Sequence, residues 1–269
     1  MEIRIFDVEQ GFCAYVIADN GNVILIDCGM NSSTGFSPST YLVRNGCRGI
    51  EKLVITNFDE DHIADLPALI RTGMPIQVLT RNNTISGEAL RSLKLEGGPI
   101  SAAMESFLSL HTTYNQPVTS PPNFAGVVEN FFFNPYPSFT DTNNLSLVAF
   151  LHYQNIHIVF PGDLEKDGFL ELLKNDAFKQ ALRETNVYVA SHHGRDNGCC
   201  EEVANYLQNV FYVVISDKGY QYDTQKTLPF YSRIAKGGPF GQEPLRKVLT
   251  TRCDGRIDFE FSPGSWGPR

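Results

Sequence analysis

The sequence lacks a long apolar run, a basic leader and an excess of basic residues. No stretch approaches the roughly 20 apolar residues that span a bilayer, and the first residues do not resemble a signal peptide. We therefore expect a soluble, cytoplasmic protein with no membrane partner. The formal net charge of −8 argues against a broad nucleic-acid-binding surface, which needs clustered lysine and arginine.

Paired cysteines are also missing, because none of the six cysteines belongs to a Cys-x-x-Cys motif. A chain of 269 residues does not need a disulfide framework, so reduced thiols are expected. Hydrophobic residues make up 42% and charged residues 19%, which is typical of a globular protein and excludes a disordered one. From Lys226 onward, eight basic and four acidic residues leave a local excess of four positive charges. A solvated face is the simplest interpretation, and a local anion-binding surface is the alternative.

The apolar periodicity predicts a mixed α/β chain. Strands are expected in a meander over 2–8, 12–18 and 23–27, and then at 52–56, 75–80, 127–134, 145–153, 156–160, 186–190 and 211–215. Helices are expected at 37–47, 62–70, 168–184 and 201–209, and residues 248–251 and 256–261 are expected to form a closing hairpin around Asp254-Gly255. We predict one domain over residues 1–269, with a helical and loop insertion around 86–130. Strand-rich halves followed by helices favour two sheets with helices outside.

Three segments share one layout, in which an apolar strand is followed by potential metal ligands. They are Leu53–His62, with Asn57, Asp59, Asp61 and His62 after the strand, Ile158–Asp163, and Val187–Gly194, which contains His192 and His193. The ends of neighbouring strands meet in a common crevice in α/β proteins. We therefore expect these side chains to converge.

The convergence of several carboxylates predicts a cation. Asp59, Asp61 and Asp163 would repel one another unless a positive ion lay among them. A donor set that mixes carboxylate and imidazole suits Zn²⁺ or Mn²⁺. Each segment alone has a structural interpretation, such as a solvated acidic turn or a helix cap, but the three together predict a metal site.

The same segments resemble the metallo-β-lactamase superfamily, and more narrowly the hydrolase domain of ComEC-type DNA-uptake proteins and its stand-alone relatives. The resemblance covers nearly the whole chain in the right order, through Asp7–Phe12, Leu25–Gly29, Asn57–His62, Asn143–Val148, Phe160–Glu165 and Ser191–Gly194. It implies a four-layer αββα sandwich with metal ions at one edge.

The resemblance also implies roles for individual residues. Asn57 and Asp59 stand where the family has the first ion's histidines, so the first ion site is weakened, while Asp61 and His62 with a later histidine hold the other ion and Asp163 bridges. We favour His192 as the direct ligand and His193 as the acid or base, although the residues alone leave this open. The family's late substrate-side histidine is replaced around Tyr222 and Asp223. Four residues are expected at the substrate, namely Asn144, Ser216, Lys218 and Tyr222, and the catalytic set is Asp61, His193 and Asp223.

Three functions remain open at this point. The leading hypothesis is a metal-dependent phosphodiesterase or nuclease that uses metal-activated water. The second is a small-molecule hydrolase of a phosphate ester or lactone, which the acidic composition favours. The third is a degenerate, metal-stabilised binding module in a multi-component system, which Asn57 suggests. The expected partner is a phosphodiester or small anionic substrate, with nucleic acid and a protein partner as further candidates.

Overall fold

The computed structural model describes residues 1–219, 226–262 and 264–269. Its strands are β1 Glu2–Ile5, β2 Ala14–Ile17, β3 Val23–Ile26, β4 Ile50–Val54, β5 Ile76–Thr80, β6 Val127–Phe133, β7 Leu147–Tyr153, β8 Ile156–Phe160, β9 Val187–Val189, β10 Tyr212–Ile215, β11 Gly238–Phe240, β12 Glu243–Arg246, β13 Val248–Thr250, β14 Ile257–Ser262 and β15 Ser265–Pro268. Its helices are α1 Pro38–Arg44, α2 Glu60–Ile63, α3 Leu66–Arg71, α4 Gly87–Glu96, α5 Ala102–Thr113, α6 Lys166–Leu172, α7 Asp176–Glu184, α8 Glu201–Ala204, α9 Leu228–Ile234 and α10 Thr251–Asp254. None of these helices has the length and apolar character needed to cross a bilayer.

The first sheet has seven strands in the order β15-β14-β1-β2-β3-β4-β5. Strands β1, β2 and β3 form the predicted antiparallel meander, and a tight turn at Gly21, with φ of 82°, joins the last two. Strands β3, β4 and β5 are parallel. Since parallel strands end at the same edge of a sheet, residues after β3 and after β4 lie side by side.

The second sheet has six strands in the order β13-β10-β9-β8-β7-β6. Strands β6, β7 and β8 are antiparallel, and β8, β9, β10 and β13 are parallel. The two sheets are tied at one edge, where the Leu147 N–H donates to the Thr56 carbonyl at 2.8 Å. The ends of β4, β8 and β9 therefore meet in one place.

Alternate residues of each sheet face different layers, which defines the architecture. In β3, Ile24 and Ile26 belong to the core between the sheets, whereas Val23 and Leu25 pack under the helices on the outer face. In β9, Val187 and Val189 face the other sheet and Tyr188 packs under the second helical layer. The period-2 alternation thus buries both faces of both sheets, and the predicted αββα sandwich is confirmed.

The predicted closing hairpin is wrong. Strand β13 lies parallel to β10 in the second sheet, whereas β14 lies antiparallel to β1 in the first, and helix α10 carries the chain between them. The turn signal at Asp254-Gly255 is real, since Gly255 has a φ of 69°. It lies where the chain passes from one sheet to the other, since β13 pairs with β10 and β14 pairs with β1. The predicted long helix at 168–184 is also divided into α6 and α7, where Asn175 caps the second one.

The edge that joins the sheets requires glycine for a close backbone approach. A Cβ on Gly29 would lie 2.4 Å from the Asp61 carbonyl oxygen and 2.8 Å from that of Phe12. We expect Gly29→Ala to lower the free energy of unfolding by about 1–3 kcal/mol, because two backbone segments must move apart. The matched control is Gly267→Ala, where a Cβ would meet no atom within 4 Å. Urea unfolding of both variants tests this, and equal stabilities would contradict it.

Candidate metal centre

Four side chains with metal-binding atoms converge at the strand ends. One ligand atom each from Asp61, His62, Asp163 and His193 lies within 4.8 Å of the others. The first two follow β4, Asp163 follows β8, and His193 follows β9. The side chains of His62, Asp163 and His193 are buried, and Asp61 is half-buried. The convergence expected from the strand layout therefore exists.

His62 is held from both sides by carboxylates. Its Nδ1 lies 2.8 Å from Asp27 Oδ2, and its Nε2 lies 2.9 Å from Asp163 Oδ1. Burial lowers the pKa of His62, but the Asp163 and Asp27 carboxylates outweigh burial and raise that pKa well above its usual value. An ion bound at Nε2 would replace that proton, and Asp27 would then fix the ring orientation.

His193 presents an unpaired nitrogen to the same cluster. Its Nδ1 lies 3.2 Å from the Ser216 carbonyl, which can only accept, so Nδ1 carries the proton and the Nε2 lone pair faces Asp61 and Asp163 in the neutral ring. Among the described residues, the buried Nε2 has no hydrogen-bond partner, although a carboxylate oxygen of each aspartate lies 3.3 Å away. A left-handed backbone, with φ of 53° at His193, gives the ring this direction.

The residues present fit a divalent ion. Two carboxylates and two imidazole nitrogens are the donors that Zn²⁺ and Mn²⁺ accept. A cavity of about 10 Å³ lies against His62, Asp163 and His193, which is close to the room that one water-sized group needs. The unpaired Nε2 of His193 is a buried polar atom that an ion would satisfy.

Ion binding must displace protons, which makes its pH dependence predictable. Burial lowers the pKa of His193, but Asp163 and Asp61 outweigh it and raise that pKa to about 9. Below that pH a proton competes with the ion, so we expect affinity for Mn²⁺ to rise with pH by at least about tenfold per unit up to about pH 9. Calorimetric titration with Mn²⁺ at several pH values measures this slope, and an affinity that does not change with pH would contradict the prediction.

His192, the favoured ligand from the sequence, lies beside the cluster. Its Nε2 is 3.9 Å from Asp163 Oδ2 and accepts a hydrogen bond from Arg195 Nη1 at 3.0 Å. Its Nδ1 lies 3.4 Å from Glu165 Oε1. The structure thus directs the His193 ring to the carboxylates of Asp61 and Asp163, and the His192 ring towards Glu165 and Arg195.

Asn57 and Asp59, the expected ligands of the weakened ion site, are engaged elsewhere. The Asn57 Nδ2 donates to Ser146 Oγ at 2.9 Å, and its Oδ1 accepts from the Asp59 N–H at 2.6 Å. The Asp59 carboxylate is paired with Lys94 and accepts from Thr142 Oγ1 at 2.9 Å. Neither side chain belongs to the four-residue cluster.

The expected substrate residues fall into three groups. Asn144 and Ser216 are buried: the Asn144 Oδ1 accepts from the Gly168 N–H at 2.9 Å, and the Ser216 hydroxyl donates to the Gly11 carbonyl at 2.6 Å. Lys218 and Asp61 both line one large surface cleft, and the Lys218 Nζ lies 3.1 Å from Glu9 Oε1. The fourth, Tyr222, lies outside the described residues, and so does Asp223 of the expected catalytic set.

Sequence reasoning missed Asp27 as a member of the site. This carboxylate is fully buried, binds His62, and also accepts from the Thr56 N–H at 2.7 Å. A signal was available, because an acidic residue directly after the apolar strand β3 has no water to solvate it and needs a partner. No comparable signal marked Lys94, which lies on a helix far along the chain.

Comparison with known proteins agrees with this architecture. The sequence model of the metallo-beta-lactamase superfamily matches residues 9–196. The chain therefore belongs to the metallo-beta-lactamase superfamily, whose members are generally metal-dependent hydrolases. It is 22% identical over 282 residues to ComE operon protein 3 of Bacillus subtilis (strain 168), and the aligned region covers 97% of this chain. The chain spans about a third (33%) of the length of that relative.

Solved structures share the fold at low sequence identity. The metallo-beta-lactamase fold protein YhfI from Bacillus subtilis has a TM-score of 0.50 and 10% identity, and the match covers 96% of this chain and 99% of that one. A mutant of CmlA beta-hydroxylase has a TM-score of 0.53 and 10% identity, with 97% of this chain and 54% of that one covered. Because a hydroxylase shares this fold, the reaction has to be argued from the site.

Proposed function

We propose that the protein is a metal-dependent phosphodiesterase that acts on small phosphate diesters. The observation that carries this proposal is the four-residue cluster around the unpaired His193 Nε2, whose member Asp61 lines a cleft of about 970 Å³. A divalent ion held there would supply a Lewis acid and a water of lowered pKa. The cluster retains four donors, which favours an enzyme over a degenerate binding module.

The chain's own residues orient the site and handle the proton. Asp27 and the Ser216 carbonyl fix the ring directions of His62 and His193, so that each ring turns its Nε2 to Asp163. Asp61 is the cluster member that lines the cleft. Its carboxylate can accept a proton from an attacking water and lies 3.3 Å from His193 Nε2.

The charge of the cleft favours a small substrate. It is lined by six carboxylates and two ammonium groups, namely Glu9, Asp59, Glu60, Asp61, Glu96, Asp141, Lys94 and Lys218. Six minus two leaves four negative charges, and one divalent ion would leave two. Nucleic acid carries about one negative charge per 1.7 Å of duplex, so a long strand would be repelled. A diester with one or two charges would be tolerated.

The basic C-terminal region offers little to a polyanion. Between residues that the structure describes, carboxylates pair with at least five of its eight basic side chains: Arg233 with Glu201, Arg246 with Asp254, Arg252 with Asp217, Arg256 with Asp258, and Arg269 with Glu260. Asp254, Asp258 and Glu260 are already counted in the local excess of four, and the additional partners Glu201 and Asp217 lower it to two. These pairs support the solvated-face interpretation over a nucleic-acid surface.

Hydrolysis assays on the metal-loaded protein test the proposal. With Mn²⁺ or Zn²⁺, we expect bis-p-nitrophenyl phosphate and a dinucleotide to be hydrolysed and oligonucleotides to be cleaved more slowly. Removal of the ion with a chelator should abolish hydrolysis. Faster cleavage of long oligonucleotides would support a nuclease instead, and activity on lactones alone would refute the phosphodiesterase.

A further inference from the structure

The expected second ion position has its donors already committed. Asn57 is fully buried and uses both ends of its amide, as donor to Ser146 and as acceptor from the Asp59 N–H. An ion there would need the Asn57 oxygen and would break the turn that this oxygen stabilises. In the described part of the chain, the four-residue cluster is the one group of three or more histidine, cysteine and acidic side chains with this convergence.

A cation belonging to the chain itself lies at this position. The Lys94 ammonium is paired with the Asp59 carboxylate and donates to Thr142 Oγ1 at 3.3 Å. The Thr142 hydroxyl in turn donates to Asp59 at 2.9 Å, which closes a three-member network. The side chains are sheltered, with 21% exposure for Lys94 and 34% for Asp59, so the pair is only partly screened by water.

Lys94 lies within the segment around 86–130 that was predicted as an insertion. Lys94 lies in the last turn of α4, whose N-terminus is capped by the Ser86 hydroxyl. The bidentate pair of Arg91 with Glu105, at 2.5 and 2.6 Å, ties α4 to α5. The ammonium group is thus held by a folded helical element.

The Lys94 ammonium has one N–H group beyond its two bonds, and its side chain lines the same cleft as Asp61. An ammonium has three N–H groups, and Asp59 and Thr142 account for two of them. Lys94 and Asp61 line the same cleft, so a group bound near the cluster lies within the field of this charge. An ammonium is a compact charge that binds phosphate oxygens.

We propose that Lys94 takes the place of a second ion and is a substrate-binding residue. Its ammonium neutralises Asp59 and donates its third N–H to the anionic group of the substrate, and the chain binds a single divalent ion. The choice of a phosphate as that group rests on the function proposed above.

The test measures ion stoichiometry and phosphate binding, and neither requires turnover. Calorimetry of the wild-type protein with Mn²⁺ should give one ion per chain. Inorganic phosphate is then titrated into ion-loaded wild type, Lys94→Met and Lys94→Arg. We expect Lys94→Met to weaken phosphate binding by at least about tenfold, the size of one charge-assisted hydrogen bond, and to leave ion affinity unchanged. Lys94→Arg, which keeps the charge, should retain most of the binding.

The matched control is Lys174→Met, which removes an exposed lysine that is also paired with a carboxylate, Glu171. It should bind phosphate like the wild type. Two ions per wild-type chain would overturn the proposal without any variant. So would wild-type phosphate affinity in a folded Lys94→Met protein, or no phosphate binding by the ion-loaded wild type. Lys94-dependent phosphate binding without hydrolysis of any diester would instead refute the proposed phosphodiesterase and leave the role of Lys94 standing.

Discussion

Replacing Asp163 by asparagine is expected to reduce ion affinity and diester hydrolysis by at least about 10²-fold. Asp163 is buried and contacts both cluster histidines, with 2.9 Å to His62 Nε2 and 3.3 Å to His193 Nε2. Changes in residues that only support a ligand cost about 10–100-fold, so loss of a central carboxylate should cost at least as much. Asparagine keeps the shape and removes the charge. Mn²⁺ calorimetry and hydrolysis of bis-p-nitrophenyl phosphate measure the two effects.

The control for this variant is Asp167→Asn. Asp167 lies in the first turn of α6, four positions along the chain, is exposed, and lines a different pocket. Its replacement should leave ion affinity within about threefold of the wild type, because only weak surface electrostatics change. If Asp163→Asn behaved like Asp167→Asn, the four-residue cluster would not be the ion site.

Replacing Asp27 by alanine is expected to harm stability and ion binding together. The variant would leave His62 Nδ1 and the Thr56 N–H buried without their acceptor. Breaking one side of a buried charged pair costs about 3–5 kcal/mol of unfolding free energy. Loss of the ring orientation should also weaken Mn²⁺ binding by about 10–100-fold. Urea unfolding of the ion-free protein and Mn²⁺ calorimetry separate the two effects.

Two further variants test whether the missing Asp27 carboxylate causes the loss of stability and of ion binding. Asp27→Asn keeps an acceptor and tolerates the left-handed φ of 58° at this position, so its loss of stability should be smaller, at about 1–3 kcal/mol. Asp176→Ala removes an aspartate whose side chain is 94% exposed, and it should leave both measurements unchanged. An Asp27→Ala protein with wild-type stability and ion affinity would show that His62 is positioned without this carboxylate.

Local pattern was sufficient for most of the fold. The alternation in β1 and the continuous apolar character of β3 and β9 depend only on neighbouring residues, and they predict strands with one buried face or two. Local pattern failed at β13 and β14. Both segments read correctly as strands, yet their partners β10 and β1 lie far away in sequence, and a turn signal between them could not reveal which sheet each would join.

For the candidate site, the sequence by itself determined the superfamily, the acidic turn after β4 and the presence of Asp61, His62, Asp163 and a histidine pair at strand ends. Only the tertiary structure decided which ring of the pair faces the carboxylates, because left-handed backbone angles and the Ser216 carbonyl set that direction. It also decided that Asp27 supports His62 and that Lys94 pairs with Asp59. These contacts join segments 35 residues apart in the chain, at distances that no local periodicity encodes.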